Sequence, residues 1–168
     1  MIKFKYLIGH WVGVNTHNVT DGVKKCYHEI VDGTGKVHSG IPLTQFSTQS
    51  TGGMNSITMN IAMSGGVDPG GTLTSVQCEA FFKRCAELLK ANGQDETAFL
   101  THYEIGQLVR DYKKGSRTSI ADLLSYNTWL DSNVGKIDLT RLPVQYGASA
   151  EMSGKVIRNK IKWYLQRV

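Results

Sequence analysis

The sequence predicts an α/β fold in which a mixed central β-sheet is covered by helices. Short apolar, β-prone segments alternate along the chain with two long segments whose apolar residues recur every three or four positions. The 168 residues form an ordinary length for one domain, and the sequence has no internal repeat and no Pro- or Ser-rich linker. We therefore expect one domain that spans residues 1–168.

The predicted strands of the first half are separated by glycine-containing turns. Residues 4–8 are apolar and β-prone, and a glycine follows them. Residues 26–31 and 36–38 predict a β-hairpin, because the Asp-Gly-Thr-Gly run between them supplies the glycines that a tight turn needs. Residues 57–63 predict a further strand that ends at Ser-Gly-Gly, and residues 68–71 predict a loop.

Residues 72–92 form the clearest predicted helix. Thr74 is suited to be its N-cap, and Gly93 is a stop signal. Its apolar residues lie on one stripe, which predicts core packing; they are Cys78, Phe81, Phe82, Cys85, Leu88 and Leu89. With Cys26 the cysteines number three, an odd set that does not indicate a disulfide framework, so we expect buried, reduced thiols.

The second half of the chain is predicted to be less regular. Residues 98–101 predict a short strand that leads to His102. Residues 104–135 are polar and predict an irregular insertion, with one short helix at 119–124. A final helix begins near residue 153, and its predicted buried face consists of Ile157, Ile161, Tyr164 and Leu165.

The formal net charge is +5, and much of the excess lies in this C-terminal helix, residues 153–167. Its cations are Lys155, Arg158, Lys160, Lys162 and Arg167, with no acid among them. A basic surface suits nucleic acid, an anionic membrane or a bacterial cell wall. The sequence lacks zinc-finger spacing, an aromatic RNA-binding signature and a heptad-linked basic region, so we do not expect a nucleic-acid partner.

The sequence also bears on location. No run approaches the roughly 20 apolar residues that a transmembrane helix needs. Residues 1–10 reach polar and glycine residues too soon for the apolar core of a signal peptide. We therefore expect no membrane span and no signal peptide, and a chain that stays in the cytoplasm or leaves it by a route that its own sequence does not encode.

Two of the five histidines lie where catalytic ligands tend to lie, at or beside predicted strand ends. His10 follows the first strand, and His102 follows the strand at 98–101. A hydrolytic zinc ion needs about three protein ligands and an open position for water. The residues alone leave this pairing open, because no His-Glu-x-x-His or Cys-x-x-Cys motif supports it and a single histidine is more often structural.

Several segments, in order, resemble the zinc-dependent N-acetylmuramoyl-L-alanine amidases, a family that includes bacteriophage endolysins, bacterial recycling amidases and peptidoglycan recognition proteins. The segments are LIGHWVG at 7–13, YHEIVDGTGKV at 27–37, STGGMNS at 50–56 with TMNIAM at 58–63, the helix at 74–89, HYE at 102–104 and KID at 136–138. The resemblance covers residues 6–143. It implies a single domain with the amidase or peptidoglycan-recognition-protein fold.

The resemblance implies a zinc site with His10, His102 and Asp138 as ligands. His10 matches the histidine of the family's opening strand, and Asp138 matches the last position of its Lys-x-Asp element. The assignment of the third ligand leaves alternatives, because the gap between His102 and Asp138 (138 − 102 = 36 residues) is longer than in compact family members. Asp122 and Asp131, inside the insertion, are the alternatives.

The resemblance also implies roles around the metal. Tyr27 would orient or polarise the substrate, and Lys136 would place an ammonium group beside the oxyanion that forms on the attacked carbonyl. Substrate contacts are expected from Thr51, Asn55 and Glu104. The sequence departs from the family pattern where Gln49-Ser50 replace a frequent histidine, where Ala62 replaces the glutamate of the recycling branch, and where Leu139 follows the third ligand in place of a Pro-Gly pair.

The activity implied is zinc-dependent hydrolysis of the amide bond between N-acetylmuramic acid and L-alanine in peptidoglycan. We expect a monomeric phage or prophage endolysin that remains in the host cytoplasm until a holin opens the membrane and lysis follows. Its basic helix would contact the anionic envelope. The alternatives are a cytoplasmic recycling amidase, which Ala62 disfavours, and a non-catalytic peptidoglycan-binding or virion structural protein.

Overall fold

The computed structural model describes residues 1–115 and 126–168. Within these ranges, five strands form one sheet: β1 (Tyr6–Trp11), β2 (Glu29–Val31), β3 (Val37–Ser39), β4 (Thr58–Met63) and β5 (Phe99–Thr101). The order is β3-β2-β4-β1-β5, with β3 antiparallel to β2 and every other pair parallel. The mixed sheet confirms the predicted fold class. The first strand is displaced from its predicted bounds, so that His10 lies inside it.

Helices cover both faces of the sheet. They are α1 (Asp21–Lys24), which the sequence did not predict, α2 (Ser75–Asn92), α3 (His102–Lys113) and α4 (Ser153–Leu165). Side chains along β1 alternate between the faces. Leu7 and Trp11 join the large core under α2 and α4, whereas Ile8 joins a smaller core with Ile105 of α3. By the same alternation, His10 faces the side of α3.

The helix α2 has the predicted caps. The Thr74 hydroxyl accepts from the Gln77 amide at 3.1 Å, the Gln77 side chain accepts from the Thr74 amide at 3.3 Å, and Gly93 ends the helix at φ +77°. The predicted apolar stripe is buried. Cys78 and Cys85 are buried free thiols, as predicted, whereas Cys26 is only partly buried.

The prediction of irregular structure from residue 104 onward was wrong for residues 104–113, which belong to α3. The helix buries His102, Ile105, Gly106 and Val109, a spacing of three and four that intervening polar residues obscure. Another part of the insertion forms a short 3-10 helix, Thr128–Asn133, which packs on α3. The helix predicted at 119–124 lies outside the described residues.

The C-terminal helix α4 packs as predicted, with Ile157 and Ile161 fully buried and Tyr164 and Leu165 against the same core. Much of its charge is engaged within the protein: Arg158 pairs with Glu104, Lys160 with Glu79 and Lys162 with Glu96. None of the helices in the described ranges has the length and apolar character needed to cross a membrane.

Candidate metal centre

Three buried side chains from three parts of the chain meet at one end of the sheet. His10 lies near the end of β1, His102 is the first residue of α3, and Asp138 lies in the loop that leads towards α4. The carboxylate oxygen Oδ2 of Asp138 is 3.3 Å from His10 Nδ1 and 3.5 Å from His102 Nδ1. One ligand atom from each residue lies within 4.8 Å of the other two. We call this cluster the His-His-Asp trio.

Burial and contacts within the trio set the ionisation of His10 and Asp138. Burial is the largest influence on His10 and lowers its pKa, so the imidazole is neutral at neutral pH. Burial alone would raise the pKa of Asp138, but its interactions with His10 and His102 hold that pKa well below its ordinary value. A neutral imidazole and an ionised carboxylate are the forms that bind metals.

The backbone turns sharply after Asp138. Leu139 has φ +64°, the only left-handed residue other than glycine among those described, and its side chain is fully buried. That side chain packs close to Gly9, where an added Cβ would lie 3.0 Å from Leu139 Cδ1 and 2.5 Å from the Phe99 ring. The turn thus sends Leu139 into the core, whereas Asp138 faces the histidines.

The trio fits a zinc ion. Two imidazole nitrogens and one carboxylate oxygen are ligands that zinc accepts, and three protein ligands leave a fourth tetrahedral position for water or substrate. On its open side the trio faces a cavity of about 230 Å³, which His102 and Asp138 line together with Trp11, Tyr27 and Lys136. The arrangement therefore has the features of a hydrolytic rather than a closed structural site.

Tyr27 and Lys136 lie at this cavity. The ring centroid of Tyr27 is 5.0 Å from that of His10. Burial and then the negative charge of Asp138 raise the pKa of Tyr27 far above its ordinary value, so its hydroxyl stays protonated and can donate a hydrogen bond. Lys136 is exposed and lines both this cavity and a second one of about 230 Å³ beside it.

The three residues expected to contact the substrate do not line the first cavity. Thr51 is fully buried, and its hydroxyl donates to Asn60 Oδ1 at 2.8 Å. Asn55 lines the second cavity, but its side-chain oxygen accepts from the backbone amides of residues 50 and 51. Glu104 caps the first turn of α3 and pairs with Arg158, so it lies outside both cavities.

The alternative third ligands do not join the trio in the described part of the chain. Asp131 accepts from the Tyr126 hydroxyl at 2.8 Å and pairs with Lys113 at 3.2 Å. Asp122 lies outside the described residues. Asp138 is thus the carboxylate that the structure brings to the two histidines.

Three residues at the site were missed by sequence reasoning. Asn60 and Asn133 contact the histidine rings, and Trp129, which is 74% exposed, lines the second cavity. One signal was present for Asn60, because it is an amide in the middle of a fully buried strand, TMNIAM. Asn133 and Trp129 lie in a polar stretch with no motif.

Known structures share this fold, whereas no protein-family model and no curated protein matches the sequence. The Staphylococcus aureus hydrolase AmiA, solved with its ligand, superposes with a TM-score of 0.60 at 14% identity, covering 99% of this chain and 77% of that one. The Ph2119 endolysin from the Thermus scotoductus bacteriophage Ph2119 gives 0.50 at 15% identity, covering 81% and 88%. The N-acetylmuramoyl-L-alanine amidase LysC from Clostridium intestinale gives 0.50 at 17% identity, covering 59% and 70%. The chain therefore has the amidase-like fold that the sequence predicts.

Proposed function

We propose that the protein is a zinc-dependent N-acetylmuramoyl-L-alanine amidase, which hydrolyses the amide bond between N-acetylmuramic acid and L-alanine in peptidoglycan. The observation that carries the proposal is the buried His-His-Asp trio, open to a cavity, in a fold shared with an amidase and an endolysin. The donor set and its protonation suit a catalytic zinc ion.

His10, His102 and Asp138 would hold the ion, which when bound polarises a carbonyl and lowers the pKa of a bound water towards 7. The protonated hydroxyl of Tyr27 donates a hydrogen bond to the substrate carbonyl oxygen from the buried side of the cavity. The ammonium group of Lys136 supplies positive charge at the mouth of the cavity. Both groups favour the transition state, because negative charge develops on that oxygen as the carbonyl is attacked.

The substrate groove would extend from the first cavity into the second. The two cavities share Lys136 and His102, and the second is walled by Trp129 and Ser132 of the 3-10 helix Thr128–Asn133. The insertion would therefore form one side of the groove. The exposed indole of Trp129 offers an apolar face to a long, partly apolar substrate such as a glycopeptide.

The amidase proposal is tested by mass spectrometry of the products released from purified sacculi by the zinc-loaded protein. We expect free stem peptides with a new L-alanine amino terminus, lost on chelation and restored by zinc. Asp138→Asn should abolish the release, and Asp131→Asn, a matched change of an acid outside the trio, should not. Glycan fragments would contradict the bond assignment. Binding to sacculi without release of peptide would favour a non-catalytic peptidoglycan-binding protein.

We further propose that the biological role is that of a phage or prophage endolysin, which the similarity to the Ph2119 endolysin supports. In that role the protein would remain in the host cytoplasm until a holin admits it to the wall, acting as a monomer of one domain. Expression in a bacterial host should then cause lysis only when the inner membrane is permeabilised. Turnover of soluble muropeptides without attack on intact sacculi would instead indicate a recycling amidase.

A further inference from the structure

Each histidine of the trio also contacts a buried asparagine through its other ring nitrogen. His10 Nε2 lies 2.9 Å from Asn60 Oδ1, and His102 Nε2 lies 2.8 Å from Asn133 Oδ1. Asn60 is fully buried and Asn133 is 1% exposed. A buried amide without partners is costly, so the direction in which each asparagine points is set by its other hydrogen bonds.

The orientation of Asn133 follows from its two N–H bonds. Its Nδ2 donates to the backbone carbonyl of Gly52 at 2.9 Å and to that of Leu130 at 3.0 Å. Exchanging the oxygen and nitrogen of the amide would turn its oxygen towards two carbonyl oxygens, and both hydrogen bonds would be lost. The amide oxygen therefore faces His102 and accepts, which requires that His102 Nε2 carries the proton.

The orientation of Asn60 is set by two threonines. The Thr58 hydroxyl donates to the Met54 carbonyl at 3.0 Å, so it can accept the bond from Asn60 Nδ2 at 3.2 Å. The oxygen of Asn60 then accepts from the Thr51 hydroxyl at 2.8 Å and from His10 Nε2. These linked hydrogen bonds assign the ring proton of His10 to Nε2 as well.

We propose that Asn60 and Asn133 are positioning residues, which hold His10 and His102 as Nε2–H tautomers and so present both Nδ1 lone pairs to one metal ion. A neutral imidazole carries its proton on one nitrogen only, so the hydrogen bond at Nε2 decides that Nδ1 is the ligand atom. In the metal-free protein both Nδ1 atoms face the Asp138 carboxylate, so the two asparagines compete with that carboxylate for the single proton of each ring. The inference rests on the proposed function, because that proposal supplies the metal.

The two asparagines come from different parts of the fold. Asn60 belongs to β4, the parallel neighbour of β1, and so lies beside the strand that carries His10. Asn133 ends the 3-10 helix Thr128–Asn133, 31 residues after His102. The insertion therefore contributes a buried hydrogen bond to a metal ligand, in addition to the groove wall.

Zinc affinity of the full-length chain, measured by competition with a chromogenic chelator, gives the first test. Asn133→Leu and Asn60→Leu should each weaken zinc binding by about 10- to 100-fold, the range typical for loss of a hydrogen bond to a metal ligand. Asn60→Asp retains an oxygen for His10 and should stay much closer to the unchanged protein. Asn127→Ala removes the N-cap bond to Trp129, 3.1 Å long, from the same 3-10 helix without touching His102, and should leave the affinity unchanged.

Long-range ¹H–¹⁵N NMR of the metal-free protein, in buffer where the imidazoles are neutral, gives a second test that does not depend on the variants folding. We expect both histidines as Nε2–H tautomers, with that preference lost for His102 alone in Asn133→Leu and for His10 alone in Asn60→Leu. An Nδ1–H tautomer of either ring in the unchanged protein would overturn the inference, as would leucine variants that bind zinc with unchanged affinity. Failure of the unchanged protein to bind zinc would overturn the proposed function instead, while the tautomers still report on the asparagines.

Discussion

Burial and mutual contacts set the pKa values of individual side chains at the candidate metal centre. His10 is 1% exposed and Asp138 is 8% exposed, and desolvation favours the neutral form of each. The imidazole of His10 stays neutral, whereas the contacts with His10 and His102 keep the carboxyl of Asp138 ionised. Tyr27, half-buried beside them, keeps its proton. The result is two neutral groups and one anion around a space that accepts a cation.

Zinc binding should depend on pH in one direction. Because burial lowers the pKa of His10 from its ordinary 6.5, the ring stays unprotonated through the neutral range, and protons compete with zinc only in acid. We expect constant affinity near neutrality and a steep loss as the pH falls, with amidase activity following it. The measurement is chelator competition across pH. A loss of affinity that began above pH 6.5, the ordinary histidine value, would contradict the lowered pKa of this ring.

Tyr27 and Lys136 should contribute to turnover without contributing to metal binding. Tyr27→Phe and Lys136→Met each remove one proposed donor to the oxyanion, and we expect kcat to fall by about 10²- to 10³-fold. Zinc affinity should remain unchanged, since neither residue belongs to the trio. Lys155→Met, an equivalent change on the exposed surface of α4, is the matched control. Full activity in Tyr27→Phe or Lys136→Met would remove that residue from the proposed mechanism.

At the scale of elements, the site depends on how closely the 3-10 helix Thr128–Asn133 approaches α3. A Cβ added at Gly106 would lie 2.3 Å from the backbone oxygen of Asn133, so only glycine permits the observed contact. The same segment approaches the Thr51-Gly52-Gly53 turn, where a Cβ at Gly52 would lie 2.2 Å from Ser132 Oγ. Two glycines on separate elements therefore allow the insertion to reach His102.

Gly106→Ala should displace that 3-10 helix. Alanine is the better helix former by about 1 kcal/mol, but the overlap with backbone forces α3 and residue 133 apart. We expect a lower melting temperature and weaker zinc binding. Gln107→Ala, at the adjacent and half-buried position of α3, should change neither by a comparable amount. A Gly106→Ala protein with higher stability and unchanged zinc affinity would show that this close packing is not required.

At the scale of the whole molecule, α4 ties distant parts of the fold together. Arg158 donates to both carboxylate oxygens of Glu104, at 2.8 and 2.7 Å, and to the backbone oxygen of Phe99 at 3.2 Å. It thus holds the junction at which β5 ends and α3 begins with His102. Because this cation and two others on α4 are paired with acids, the helix carries less free charge than its sequence indicates.

Contact of α4 with the anionic envelope remains a prediction, and the ion pairs decide how it is tested. Neutralising Arg158 would also break the bond to Glu104, so the informative variant is Lys155→Gln with Arg167→Gln, which leaves the three ion pairs intact. We expect weaker binding to sacculi at low salt and little difference at high salt, because screening removes the attraction. Equal binding of this variant and the unchanged protein at low salt would contradict a role for the helix in envelope contact.

Much of the fold was predictable because its signals are local. The Thr74 cap, the Gly93 stop and the alternation of apolar segments identified α2 and the strands. The helix α3 was missed because its buried positions are few and polar residues separate them. Within the site, resemblance indicated all three members of the trio. It gave no role to Asn60, which lies inside a matching segment, and Asn133 lies in no motif; their histidine partners are 50 and 31 residues away.

Periodicity, caps and turn residues act over a few positions, and they determined the α/β class and the order of the five strands, α2 and α4. The ligand candidates came from the resemblance of short segments to the amidase family. Only the tertiary structure decided that Asp138, and not Asp131, meets the histidines, because the packing of the chain between residues 102 and 138 sets that distance. It also decided which nitrogen of each imidazole faces the site. That choice depends on hydrogen bonds from β4 and from the 3-10 helix Thr128–Asn133, and such contacts form only when the whole chain is folded.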